Sequence, residues 1–222
     1  MKNTFDLAIF DCDGVLIDSE LIICSAEAQA LTTAGYEIST EDLIKRFCGV
    51  LAQSMYRIIE AERGHPLPAS LPGDVQQIVF RRYRSELRPI KNAFDVLTAL
   101  KIKACVASGS APEKLALGLT ETGLFDLLHP HIYSSELVAR GKPYPDIFEY
   151  AARQLDVTHD RCIVIEDSIA GVKAAKAAAM VCVGFAGGSH CQADHADHLR
   201  EAGADMVIND LNQLLESLIG DQ

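Results

Sequence analysis

"IFDCDGVLIDSE", residues Ile9–Glu20, opens as a buried strand and then sets three aspartates within eight positions. Asp11 and Asp13 flank Cys12, and Gly14 follows at once. Carboxylates this close repel one another, so a chain that gathers them needs something positive to hold them there. The run that precedes them, Phe5–Phe10, is short and apolar but for Asp6, as in a buried parallel strand. Lys103–Ser108, Cys162–Asp167 and Met180–Phe185 repeat that character, and Ala204–Asn209 is a weaker fifth. Helical patterns lie between and after them, at Pro112–Thr122, Pro145–Leu155, Ser168–Ala178 and Asp210–Ile219. Pro145 suits a first helical turn and Ser168 an N-cap. Strand–helix units repeated in this way predict an α/β fold, a doubly wound parallel sheet.

One region breaks the rhythm. Between Ser19 and Leu87 the chain shows helix signal and no convincing strand. Ser19–Ala34 is followed by Gly35, and Thr40–Phe47 opens on an expected N-cap threonine and stops near Gly49. Leu51–Arg63 and Gly73–Leu87 are two more, parted by the breaker-rich GHPLPASLPG. Four helices are too many for a single crossover. The expected organisation is an α/β core formed by residues 1–17 and 86–222, with a helical domain, 18–85, inserted after the first strand.

Composition narrows the function classes. The 222 residues carry 20 Lys and Arg against 31 Asp and Glu, a net charge of −11. Such a field repels nucleic acid and anionic membrane, so neither is an expected partner. No signal-peptide core or bilayer-length apolar run is present, and the seven cysteines include no C-x-x-C pair. An odd, scattered set suits a reducing cytoplasm, with most thiols serving as small apolar residues. A small molecule is the expected partner, and the chain is expected to be a monomer or a weak homo-oligomer.

In an open parallel sheet, ligands bind outside the carboxyl ends of the strands. Asp11 and Asp13 stand past the end of the first strand, Ser108 and Gly109 end the second, and Glu166 and Asp167 end a later one. Lys142, in GKPYPD, precedes a helix from a loop. These groups are expected to converge on one edge. Acids gathered without a Cys/His cluster suit Mg²⁺, which takes oxygen ligands and shares its shell with substrate phosphate. Lys142, the Ser108 hydroxyl and backbone N–H groups at Cys12, Asp13 and Gly109 are candidates for the phosphoryl charge. The pattern points to metal-dependent phosphoryl transfer, with Asp11 attacking and Asp13 moving the proton.

D-x-D-G-V-L-x-D-S from Asp11, Ser108-Gly109, G-K-P-x-P-D from Gly141 and E-D-S-x-x-G from Glu166 together resemble the haloacid dehalogenase-like hydrolases. The likeness is strongest to the phosphatase and β-phosphoglucomutase branch with a helical cap, and it covers nearly the whole chain. It implies a Rossmann-like core and an aspartyl-phosphate intermediate. It makes Asp11 the nucleophile, Asp13 the acid/base, and Ser108 and Lys142 phosphate binders. Mg²⁺ would rest on Asp11, the Asp13 carbonyl and Asp167, with Glu166 ligating directly or through water. Arg46, Phe47, Cys48 and Gly49 occupy the cap segment that sets specificity in relatives. Lys45-Arg46-Phe47 with Gly49 also resembles the 6-phosphogluconate phosphatases. The expected function is a Mg²⁺-dependent phosphatase for a sugar or sugar-acid phosphate.

Rival readings stand beside this one. A β-phosphoglucomutase shares the motifs, but the histidine and arginine such enzymes carry in the cap fall here on Ile23 and Ala52. A dehalogenase lacks counterparts of Asp13 and Asp167, and a phosphonatase would need a cap lysine such as Lys45. A binding module without catalysis would have lost a motif residue, and none is lost. Asp18, the third aspartate, is expected to be structural. His190, Cys191, His195 and His198 invite a zinc reading, but their spacing fits no standard pattern, so a solvated loop and helix start is expected.

Overall fold

A computed structural model describes residues 5–47, 50 and 52–219. The chain divides into two compact units, one formed by Met1–Asp18 with Arg88–Gln222 and the other by Ser19–Leu87.

The first unit is built on six parallel strands: β1 (Leu7–Phe10), β2 (Lys103–Ser108), β3 (Ile132–Ser134), β4 (Cys162–Glu166), β5 (Val181–Phe185) and β6 (Met206–Ile208). Their spatial order is β3-β2-β1-β4-β5-β6. The order reverses direction between β1 and β4, and a doubly wound sheet leaves its ligand crevice at such a switch point. β1 and β4 are buried along their whole length. Leu7 and Ile9 pack with Cys105, Val164, Phe148 and Val172 on one face, while Ala8 and Phe10 are buried on the other. Covering on both faces explains why these strands read as unbroken apolar runs. Cys105, Cys162 and Cys182 sit in that core as free thiols.

The edge strand β3 is absent from the sequence-based expectation. It has three residues and follows the turn-forming His129–His131, which gives too short a pattern to recognise. Helices at Ala93–Ala99 and Phe125–Leu128 are likewise beyond the periodicity argument, being seven and four residues long, whereas His195–Glu201 supplies the helix start expected in the His190–His198 segment.

The second unit holds helices Glu20–Thr33, Thr40–Phe47, Ala52–Arg63 and Leu71–Glu86. Leu31, Leu43, Met55, Ile59, Val75, Val79 and Tyr83 are buried. Buried Glu27 accepts from the Tyr56 hydroxyl at 2.8 and 3.0 Å, so its carboxylate is not left without a donor. Thr40 is not the N-cap of its helix. Ser39 takes that part, its Oγ accepting from the Asp42 N–H at 3.0 Å and donating to the Asp42 carboxylate at 2.6 Å, a reciprocal cap. Among the described residues, no helix is long and apolar enough to cross a membrane.

Candidate active site

The site grows from the end of β1. The Asp11 N–H donates to the Ile165 carbonyl at 2.9 Å, which carries the β1–β4 ladder one residue past the strand. The chain then turns about the Cys12 carbonyl, which accepts from the N–H groups of Leu16 at 2.9 Å and Ile17 at 3.1 Å. Gly14 lies in this turn with φ +78°, where side chains are disfavoured. It also stands against Asp167: a Cβ built on it would fall 1.9 Å from Asp167 Oδ2. The turn therefore brings the acids of β1 and β4 together.

Asp11, Glu166 and Asp167 are all buried, and their carboxylate oxygens lie within 4.8 Å of one another. Lys142 enters from its loop and donates to Asp11 Oδ1 at 2.7 Å and also to Glu166 Oε1. Its ammonium lies 5.0 Å from the centre of the Phe148 ring. Glu166 Oε2 is held by the backbone N–H of Ser168 at 3.0 Å and its hydroxyl at 2.9 Å. Burial pushes the Asp11 carboxyl well up, Lys142 pulls it down, and the charges of Glu166 and Asp167 push it further up. Burial would lower Lys142, but Asp11 and Glu166 outweigh it and raise the ammonium. One lysine among three buried acids leaves net negative charge with oxygen donors only, and this donor set fits Mg²⁺.

Asp13 faces another way. Its Oδ2 accepts from the Ser110 hydroxyl and from Lys114 Nζ at 3.1 Å. Lys114 also donates to Ser110 Oγ at 3.0 Å. Ser108 Oγ accepts from the Ser110 N–H at 3.2 Å, and the carbonyls of Gly109 and Ser110 accept from Ser135 and Ser134. The Ser108–Ser110 loop is thereby pinned, and the space beside Gly109 where a side chain would sit is open. The Cys12 thiol is pushed well up, by burial first and then by the neighbouring aspartates, which leaves it a poor nucleophile. Asp18 Oδ1 accepts from the Ser189 N–H at 3.1 Å and hydroxyl at 2.7 Å, tying two loops of this unit.

Four residues hold the site's aspartates in roles that the sequence reading does not assign. Ser110 and Lys114 hold Asp13; their spacing of four in a helix-opening segment was the available signal. His190 and His195 hold Asp167. His190 is buried, its Nε2 lies 3.2 Å from Asp167 Oδ2, and His195 Nε2 lies 2.7 Å from the Asp167 carbonyl. The expectation of a solvated loop is therefore wrong for His190: the turn Gly188–Cys191, closed by the Cys191 N–H on the Gly188 carbonyl at 3.1 Å, sets its ring inward against Gly14 and Asp167. Burial opposes the charge on His190, but the Asp167 hydrogen bond prevails and raises the imidazole to about 11. Cys191 is pushed up by burial, yet hydrogen bonding with His190 and His195 holds it below the usual thiol value. His198 stands apart, exposed and paired with Asp194 at 3.9 Å.

In the helical unit, Arg46 donates to the Tyr36 hydroxyl at 2.8 Å and to Glu62 Oε1, and its guanidinium lies 4.6 Å from the Phe47 ring centre. Phe47 is buried in the unit. Cys48 and Gly49 lie outside the described residues.

The model of the haloacid dehalogenase-like hydrolases matches residues 5–179. The chain belongs to that family. Among its haloacid dehalogenase-like relatives, the 6-phosphogluconate phosphatase of Escherichia coli K12 is 29% identical over 189 residues, spanning 85% of this chain and 86% of that protein. A conserved haloacid dehalogenase-like protein of unknown function from Agrobacterium tumefaciens is 41% identical with a TM-score of 0.87, covering 97% of this chain and 98% of that one. A HAD family hydrolase from Deinococcus radiodurans R1, solved with bound phosphate and sodium, is 29% identical with a TM-score of 0.82 over 99% and 97% of the two chains.

One glycine of this haloacid dehalogenase-like site is a steric requirement. A Cβ on Gly171 would fall 1.9 Å from Glu166 Cδ and Oε1. Glu166 is fully buried and held by Ser168 and Lys142, so it has nowhere to move. Gly171→Ala is expected to lower stability by about 1–3 kcal/mol, the usual effect of overpacking. Urea unfolding checks it, and a midpoint equal to wild type would show that the Glu166 side chain is free to shift.

Proposed function

We propose that this phosphatase uses Mg²⁺ and an aspartyl-phosphate intermediate to hydrolyse a small phosphorylated metabolite, a sugar or sugar-acid phosphate. The observation that carries the reading is the meeting of Asp11, Glu166 and Asp167 at the switch point of the sheet, with Lys142 paired to the first two. Phosphomonoester hydrolysis needs little covalent help beyond a placed nucleophile and fixed positive charge.

An oxygen of Asp11 attacks phosphorus, forming an O–P bond as the bond to the leaving oxygen breaks. Asp13 delivers a proton to that oxygen, and the alcohol departs. Water then attacks the same phosphorus while Asp13 takes its proton, which releases phosphate and restores the Asp11 carboxylate. Ser110 and Lys114 aim Asp13 for both transfers. Lys142, the Ser108 hydroxyl and the backbone N–H groups of Cys12, Asp13 and Gly109 steady the phosphoryl oxygens. Asp11, the Asp13 carbonyl and Asp167 would hold Mg²⁺, with Glu166 directly or through water, and the ion would supply the positive charge that keeps Asp11 ionised and screens the phosphoryl group.

The helical unit, in this proposal, does a cap's work of excluding water and selecting the leaving group. Arg46 is the first candidate there. Its pair with Glu62 is about 40% exposed on both sides, and such pairs contribute about 0–1 kcal/mol, so a substrate carboxylate can replace Glu62 at little cost. Phe47, Cys48 and Gly49 complete the proposed selecting segment. The described cysteines are all free, which supports a reducing, cytoplasmic setting.

A phosphate-release screen over phosphorylated sugars, sugar acids and polyols tests the reading. Activity on none of them in the presence of Mg²⁺ would set the substrate class aside. The same protein is expected not to convert β-glucose 1-phosphate to glucose 6-phosphate, even with a bisphosphate activator. Ile23 and Ala52 offer neither charge nor a side-chain donor to retain a second phosphate. A coupled assay in which isomerisation outpaces phosphate release would favour the mutase.

A further inference from the structure

The two histidines that hold Asp167 also face a thiol. Cys191 Sγ lies 3.6 Å from His190 Nε2, and donor atoms of His190, Cys191 and His195 all fall within 4.8 Å of one another. A tetrahedral ion with a bond of about 2.3 Å to sulfur and about 2.1 Å to nitrogen has a sulfur–nitrogen edge of about 3.6 Å. The same ion has a nitrogen–oxygen edge of about 3.3 Å, against the 3.2 Å between His190 Nε2 and Asp167 Oδ2. Each of the two distances matches the corresponding tetrahedral edge.

His195 adds an independent observation. Its Nε2 is engaged with the Asp167 carbonyl at 2.7 Å, and a carbonyl only accepts. The ring must carry its proton there, which leaves Nδ1 as the lone-pair nitrogen. A ligating histidine is commonly fixed in this way, its second nitrogen donating to a backbone carbonyl. The His190 and His195 rings stand nearly perpendicular, 85°, with centroids 5.4 Å apart. The Gly188–Cys191 turn that holds His190 and the start of the His195–Glu201 helix fix both rings on the scaffold.

We propose that His190 Nε2, Cys191 Sγ and His195 Nδ1 form a second metal site for a thiophilic divalent cation of the Zn²⁺ class, with the Asp167 carboxylate as a shared fourth ligand. Thiolate and imidazole select such ions over Mg²⁺. Asp167 would then serve two cations whose charges repel, so filling the second site weakens the first. The site is a point of inhibition by zinc-class ions. That consequence rests on the Mg²⁺ reading above; the site itself does not.

Cobalt(II) titrated into reduced, chelator-stripped full-length protein gives the direct test. Wild type is expected to bind one equivalent with a thiolate-to-cobalt charge-transfer band, and Cys191→Ser is expected to lose the band. The other described cysteines are all buried, so they do not compete for the ion. His195→Ala is expected to bind at least tenfold more weakly. Absence of the band in wild type, or its survival in C191S, would overturn the site. Zn²⁺ is expected to raise the thermal midpoint of wild type more than that of C191S, which keeps only the carboxylate site. One equivalent of Zn²⁺ is expected to raise the Mg²⁺ concentration for half-maximal activity several-fold in wild type only. A cobalt band without that rise would retain the site and overturn the sharing of Asp167. Activity independent of Mg²⁺ would remove the Mg²⁺ reading and leave the cobalt result to judge the site.

Discussion

Asp11→Asn is expected to lower the phosphatase rate by about a thousandfold or more while leaving the fold intact. The substitution keeps the shape of the side chain and removes the attacking charge together with one metal ligand. Lys142 keeps its pair with Glu166. Burial and the neighbouring acids raise Asp11 in the folded protein, so its ionised form strains the metal-free state. A carboxyl raised in this way contributes most stability below its unfolded pKa and loses that contribution as pH rises through the folded value. At neutral pH, metal-free D11N is therefore expected to melt at or above the wild-type temperature. Retention of a tenth of the wild-type rate in a contaminant-free preparation would exclude Asp11 as nucleophile.

Removal of divalent ions is the second large effect. Activity is expected to vanish in excess chelator and to return on addition of Mg²⁺. Thermal stability should follow the same course, because an ion that binds only the folded state stabilises it by mass action. Asp167→Ala is expected to raise the Mg²⁺ requirement at least tenfold, with circular dichroism unchanged. Full turnover in excess chelator would mean that the three acids do not serve a cation.

The parts of this molecule that were legible in its sequence share a physical cause. The acids lie directly after buried strands, so strand recognition and site recognition were one step. Asp11 follows β1 and Glu166 closes β4, and both strands are continuous apolar runs because helices cover both faces of the sheet. Ser168 announced its helix because an N-cap is a local interaction, and its Oγ does accept from the Gly171 N–H at 3.0 Å. What escaped depends on contacts between distant residues. Ser110 and Lys114 meet Asp13 across 97 and 101 positions. His190 meets Asp167 through a turn whose inward fold no periodicity records. His190, Cys191 and His195 fit no standard ligand spacing along the chain, yet their donor atoms lie within 4.8 Å of one another in space. β3, three residues on the sheet edge, lacks the length that makes a pattern.

Reduction of the phosphoenzyme tests the central claim most directly. Enzyme quenched with borohydride during steady turnover of its best substrate should carry homoserine in place of Asp11, since hydride reduces an aspartyl phosphate and spares a free carboxylate. Peptide mass analysis is expected to find that change at Asp11, dependent on substrate and Mg²⁺ and absent without turnover. Trapping at another residue, or no trapping while the phosphoenzyme is shown to accumulate by radiolabelled phosphate, would contradict the account.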